Sequence, residues 1–257
     1  MQLIGKYGGA TSSPRTTAPA PIVWNKIPLG EILLNPGKGF GFFDDFLTGF
    51  TASTGGTTYN GTSGQWIASA VTAAGDIEPL NLEGGALWLE TAATENNGMQ
   101  IQSPENFVID TDCSLAFGAR IATVDADQGE LHVCLTTVDT DVSGSNANDF
   151  VGFTTADEAA TLNYMVQTGG AGTATTTGIT LANTTYNNLE VLIEGEEKAR
   201  LYVDGVLVAT IDDDTSTDIT DGLPTDTVMA LSLGCLTGEG TDNGIYLDWA
   251  YCYQWYH

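Results

Sequence analysis

Basic residues are scarce in this sequence. Seven Lys and Arg stand against 33 Asp and Glu, giving a formal net charge of -26. Such a surface repels nucleic-acid phosphates and anionic membranes, so neither is an expected partner. Histidine is scarcer still: His132 lies in a strand-like run and His257 is the last residue. There is no Gly-x-Ser-x-Gly elbow, so a Ser-His-Asp hydrolase is unsupported. Gly169-Gly170-Ala171-Gly172 leads into a Thr-rich segment rather than Lys-Ser/Thr and a helix, which excludes a phosphate-cradling loop. Long apolar runs are also missing. No stretch approaches the roughly 18–20 residues that span a bilayer. The opening Met1-Gln2-Leu3-Ile4-Gly5-Lys6-Tyr7 lacks the apolar core of a signal peptide, so synthesis in a cytoplasm is expected.

Cysteine is sparse and widely spaced. Cys113, Cys134, Cys235 and Cys252 form no Cys-x-x-Cys pair, so a zinc site is not expected. Each sits in an apolar segment, as in Leu131-His132-Val133-Cys134-Leu135, and reads as a buried, reduced thiol. Helical periodicity is nearly absent; Asp157-Glu158-Ala159-Ala160 is the one place where a short helical turn is expected.

What is present is enough apolar material for a core, at 42% hydrophobic residues, punctuated by 31 glycines and many Thr, Asn and Asp. That combination predicts short strands joined by many turns. Residues 1–40 differ: they hold Pro14, Pro19, Pro21, Pro28 and Pro36 and four of the seven basic residues, Lys6, Arg15, Lys26 and Lys38. Thr16-Thr17-Ala18-Pro19-Ala20-Pro21 is expected to be extended. This segment reads as an irregular arm preceding a β-sandwich over 41–257. Yet Ile22, Val23, Trp24, Ile27, Leu29, Ile32, Leu33 and Leu34 are too apolar for a solvated tail. They need a surface, either this chain's own sandwich or a neighbouring subunit.

From Phe42 onward strand follows strand. Cys113 to Ile121 alternates well, and with Glu130 to Val138 it reads as a hairpin. The strongest local signal is Asp204-Gly205 between Ala199–Val203 and Val206–Ala209, a dipeptide suited to a type I′ turn. Near the end, alternation places Trp249, Tyr251, Tyr253 and Trp255 on one strand face, with Ala250, Cys252 and Gln254 on the other. The aromatic face suits sugar stacking or a protein interface; for Trp249 and Tyr251 packing in the sandwich core is expected instead.

The element from Tyr186 to Ile211, with Leu201-Tyr202-Val203-Asp204-Gly205 at its hairpin, resembles the later half of concanavalin A-like jelly rolls, a group that includes laminin-G-like domains. Gly244-Ile245-Tyr246-Leu247-Asp248-Trp249 is similar to that group's last strand. Phe43-Asp44-Asp45-Phe46, the Trp66 segment and Gly84-Gly85-Ala86-Leu87-Trp88-Leu89 fit its opening. The resemblance implies an all-β, two-sheet antiparallel jelly-roll sandwich. Laminarinase-like members carry Glu-x-Asp-x-x-Glu on one strand face, and this sequence has no such run. Glu194-Gly195-Glu196-Glu197 reads as a solvated turn, so no enzyme activity is expected. Calcium stays open as a ligand, because Asp125-Ala126-Asp127-Gln128-Gly129-Glu130, Asp139-Thr140-Asp141 and Asp212-Asp213-Asp214 offer hard oxygens, although none forms an EF-hand loop.

Small-residue-rich, acidic sequences of this style also resemble virion proteins of tailed bacteriophages. The resemblance implies a capsid decoration (cement) protein made in the host cytoplasm and carried in the virion. A homo-oligomer is then expected, a trimer first, with the major capsid protein or other virion subunits as partners. The alternative is a carbohydrate-binding adhesin module of a tail or fibre, with a saccharide as ligand.

Overall fold

The computed structural model describes residues 22–46, 61–63, 66–71, 75–80, 85–137, 149–212, 222–225, 227–238, 240 and 243–257. Among them two 3₁₀ turns, Val23–Lys26 and Pro36–Lys38, flank one helix, α1 (Leu29–Leu34). All other regular structure is strand. The first eight strands are β1 (Gly39–Asp44), β2 (Gly61–Ser63), β3 (Trp66–Val71), β4 (Asp76–Pro79), β5 (Leu87–Glu90), β6 (Gly98–Gln102), β7 (Cys113–Thr123) and β8 (Gly129–Thr136). They are followed by β9 (Phe150–Thr155), β10 (Thr161–Thr168), β11 (Ala171–Thr180), β12 (Asn187–Glu194), β13 (Lys198–Val203), β14 (Val206–Asp212), β15 (Ala230–Thr237) and β16 (Gly244–Tyr256).

The strands form two antiparallel sheets. The first runs β14-β13-β12-β7-β16-β5-β4, with β1 added along the far half of β16; the second runs β11-β10-β9-β8-β15-β6-β3-β2. Their facing sides bury one core that includes Leu87, Ile101, Phe117, Val133, Phe153, Leu201 and Leu233. Period-two alternation is what allows this, since it sends every second side chain inward. The expected all-β sandwich is therefore present. At its opening edge Asp44 closes the motif read from sequence: its carboxylate accepts the Trp66 Nε1–H at 2.8 Å and the Phe46 N–H at 2.7 Å.

The Asp204-Gly205 turn forms as expected, with both residues at positive φ (49° and 76°) and Val203 facing Val206. Three other expectations are corrected. First, β7 and β8 are not a hairpin. They lie in different sheets, because their connection crosses the sandwich edge instead of turning back in plane. Second, Asp157 to Ala160 makes a turn with Glu158 at φ 51°, not a helical one. Third, Trp249 and Tyr251 are buried, but not between the sheets.

The third correction has a clear cause. The register of β16 shifts between Leu247 and Trp249, with Asp248 as the extra residue. Before the shift Ile245 and Leu247 face the core; after it, Ala250 and Cys252 do. One inserted residue flips every later side chain to the opposite face. The bulge residue is itself buried and ion-paired: the Asp248 carboxylate meets the Arg120 guanidinium from β7, and both side chains are within 2% of full burial. The same guanidinium lies 4.4 Å from the Tyr186 ring centroid. The four cysteines are free and buried, as the sequence implied.

Candidate functional site: the arm and the face beneath it

Because of the bulge, the first sheet presents Trp249, Tyr251, Tyr253 and Trp255 on its outer side. The described part of the arm, residues 22–38, lies on them. Val23, Ile27 and Ile32 are buried against Ala116, Leu192, Trp249, Tyr251 and Trp255, in a cluster separate from the main core. Trp24 sits edge-on to Tyr251 (4.9 Å between centroids), Phe43 (5.4 Å) and Tyr253 (5.9 Å). Edge-to-face packing of this kind is favourable beyond the area it buries. The arm is thus compact and turned rather than extended over this stretch, because its apolar residues gain a wall of aromatic rings to lie on. Residues 1–21, including the Thr16–Pro21 segment, lie outside the described residues.

A buried carboxylate fastens the arm. Glu190 on β12, Gly118 on β7 and Tyr251 on β16 are direct cross-strand neighbours in one row. Gly118 has no side chain, and a Cβ there would come within 3.1 Å of Glu190 Cγ and 3.2 Å of Tyr251 Cε1. The glycine lets Glu190 and Tyr251 meet over it. The Tyr251 hydroxyl donates to Glu190 Oε1 at 2.7 Å, and the Ile22 N–H donates to Oε2 at 3.0 Å. Val23 adds a second backbone N–H to the same carboxylate. These are the otherwise unsatisfied donors at the start of the Val23–Lys26 turn, and a carboxylate is a favourable partner for them.

Burial raises the Glu190 pKa above its ordinary value, against the lowering effect of the Tyr251 hydroxyl and the arm N–H groups. The Tyr251 hydroxyl is pushed well up by its own burial and then by the Glu190 charge. A carboxyl raised on folding adds stability that is fully present below its unfolded pKa and is lost as pH rises through its folded pKa. Wild type is therefore expected to lose stability relative to Glu190→Gln as pH rises from about 4 to about 7, since the unfolded pKa is near 4.3. Paired urea titrations at the two pH values check this; a difference that is constant or widens in favour of wild type contradicts it.

The sequence-predicted contact residues divide into two groups. Val23, Ile27 and Ile32 are buried on the underside of the arm, with Trp24 and Leu29 packed against the same cluster. Ile22, Leu33 and Leu34 face outward; Leu33 is 77% and Leu34 88% exposed. Beside them runs an open groove bounded by Ile27, Pro28, Leu29, Leu34 and Lys38. Glu190 and Gly118 were not flagged by sequence reasoning. Glu190 breaks an apolar run as a single acid in Asn188-Leu189-Glu190-Val191-Leu192, which was the available signal.

The outer face of the second sheet is polar but shielded. His132, Gln100, Gln102 and Ser232 are all buried there. Gly234 stands in register between Gln100 and His132, and a Cβ there would sit 2.6 Å from His132 Cε1. His132 Nε2 pairs with the Ser232 hydroxyl at 3.1 Å, and Gln100 donates to Ser69 at 3.2 Å. Burial lowers the His132 pKa to about 3, so the ring is neutral near pH 7. Among the described residues His132 Nδ1 and Gln102 Nε2 have no hydrogen-bond partner. On β9 the outer positions are Phe150, Gly152 and Thr154, which supply no carboxylate. Of the acidic runs considered for calcium, Asp125 accepts a hydrogen bond from Asn183 Nδ2 at 2.9 Å. Asp139, Asp141, Asp213 and Asp214 lie outside the described residues. Among the described residues no group of three or more His, Cys, Asp or Glu is arranged to hold a metal.

No protein-family model matches the chain, and no curated protein matches its sequence. Its fold has solved relatives. A protein of unknown function from Shewanella oneidensis MR-1 is similar at a TM-score of 0.55 and 12% identity, over 90% of this chain and 95% of that one. An endo-1,3-beta-glucanase from Streptomyces sioyaensis is similar at 0.54 and 12%, over 87% and 99%. The catalytic domain of an endo-1,3-beta-glucanase (laminarinase) from Thermotoga petrophila RKU-1 is similar at 0.53 and 11%, over 83% and 98%. Identities this low carry the architecture and nothing finer: the chain folds as a concanavalin A-like jelly-roll sandwich.

Proposed function

We propose that this chain is a non-enzymatic structural subunit that assembles through its arm, as a decoration protein of a tailed-bacteriophage virion would. The observation that carries the reading is the pair Leu33 and Leu34. Two adjacent leucines stand almost fully exposed on a helix that Leu29 and Ile32 fasten to the body. An exposed apolar pair on an anchored element, beside an open groove, is the form of a docking knob. The receiving surface is another copy or a capsid subunit, and many weak contacts of this kind add up across a shell. Glycoside hydrolysis requires two carboxylates about 5–9.5 Å apart across the scissile bond. Among the described strands of the second sheet Glu130 on β8 is the one carboxylate, so they supply no pair.

Leu34→Cys gives a direct test, because the four native thiols are buried and the new one is the exposed site. A benzophenone attached there is expected to link copies into covalent oligomers on irradiation. A product that stays a single chain at all concentrations contradicts arm contact between copies. A second reading, saccharide binding, draws on the polar face around His132 and Gln102, each with one atom unpartnered among the described residues, and on the glucanases among the fold relatives. Glucan binding that disappears in Gln102→Ala would favour it.

A further inference from the structure

The sign and placement of charge point to a second interface, independent of the arm. In a chain with net charge -26, residues 46–75 and 159–189 contain no Asp, Glu, Lys or Arg. Among the described residues, each run contributes an edge of the same sheet: β2 and β11 stand at the two ends of the second sheet. The first sheet ends differently. Its β14 edge follows Asp204 and closes on the Lys198–Asp212 ion pair at 2.8 Å, and β4 carries Asp76 and Glu78.

Edge strands expose a row of unpaired N–H and C=O groups, and proteins usually guard them with charge, proline or short length. β11 has none of these guards. It is a ten-residue strand, Ala-Gly-Thr-Ala-Thr-Thr-Thr-Gly-Ile-Thr, and Gly172, Thr173, Ala174 and Thr176 are exposed. From Ala171 to Thr176 it pairs with β10 without a register shift, so this half of the edge is regular. Threonine favours extended pairing.

From this we infer that β11 pairs antiparallel with β11 of a second copy, joining two second sheets into one continuous sheet about a two-fold axis. A second copy is the fitting occupant because two bodies of net charge -26 repel wherever acids face each other. The charge-free edge is where that repulsion is least. An isologous strand pair also satisfies both edges at once. β2 shares the lack of charge but is only three residues long, which leaves little to pair.

The test compares the full chain with Thr173→Glu/Ala174→Glu, which sets like charges against each other across the two-fold. Light scattering is expected to show the mass halved, and about 1 M salt is expected to restore it by screening. Val206→Glu, on the exposed β14 edge, is expected to leave the mass unchanged. A Thr173→Glu/Ala174→Glu chain of wild-type mass would overturn the interface. So would an equal loss from Val206→Glu. A measurement on the unmodified chain guards against misfolding of the variant: amide exchange over residues 171–176 is expected to slow as concentration rises. Exchange there that is independent of concentration also overturns the proposal. Because Leu33 and Leu34 take no part in this contact, failure here leaves arm-mediated assembly standing, and the reverse holds too.

Discussion

Arg120→Met is expected to destabilise the fold by about 3–5 kcal/mol, the range for removing one partner of a buried ion pair. The Asp248 carboxylate is fully buried at the bulge of β16 and faces the guanidinium directly. Removing the cation leaves a buried anion with most of its solvation lost and its principal counter-charge gone. The guanidinium also lies on the Tyr186 ring, a contact that methionine replaces only in part. The bulge sets which face of β16 looks inward, so the loss spreads to the aromatic face that the arm uses. Arg120→Met/Asp248→Leu is expected to recover much of the stability, because exchanging a whole buried pair for apolar side chains is often near neutral. Urea denaturation of the three chains measures both differences. A single variant within about 1 kcal/mol of wild type, the scale of an exposed pair, contradicts this account of the ion pair.

Tyr251→Ala is expected to cost about 3–5 kcal/mol, the scale for truncating a large buried aromatic. Tyr251 is fully buried and contacts Trp24, Trp249 and Tyr253. It also donates to Glu190, so truncation removes one of the hydrogen bonds that make the buried carboxylate tolerable. Unlike a mutation in the main core, this one strikes the separate cluster beneath the arm. The loss should therefore appear first as arm release. Trypsin reads it, since Lys26 lies in the arm whereas Arg120, Lys198 and Arg200 lie in strands. Cleavage after Lys26 is expected to outpace cleavage in the body by a wide margin. Arm and body cut at an unchanged ratio would show that the arm is not held through Tyr251.

The architecture was legible because strand alternation and turn chemistry are local. Asp204-Gly205 announces its own turn, and the buried thiols follow from the apolar runs around them. What failed was non-local. A bulge at Asp248 inverts the aromatic face, and nothing in Leu247-Asp248-Trp249 announces an inserted residue without its partners on β7. Cys113 to Thr123 reads as a half-buried alternator yet is buried on both faces, because the arm and its neighbours cover the outer one. Likewise Glu190 reads as an ordinary acid until Gly118 is placed beside it. The arm's need for a surface was legible from Val23, Trp24, Ile27 and Ile32; which surface depends on the flip in β16. That the arm rests on its own body also changes how it should be probed. Deleting it would expose Trp249, Tyr251 and Trp255, so point changes at its outward leucines are cleaner.

The most direct measurement is the solution mass of the full chain by light scattering, compared with Leu33→Asp/Leu34→Asp at about 0.15 M salt, where long-range repulsion is largely screened. Arm-mediated assembly predicts a wild-type mass that is a multiple of the 27.0 kDa chain, falling to no more than two chains in the variant. A wild-type chain that scatters as a single copy, or a variant that keeps the full wild-type mass, contradicts it.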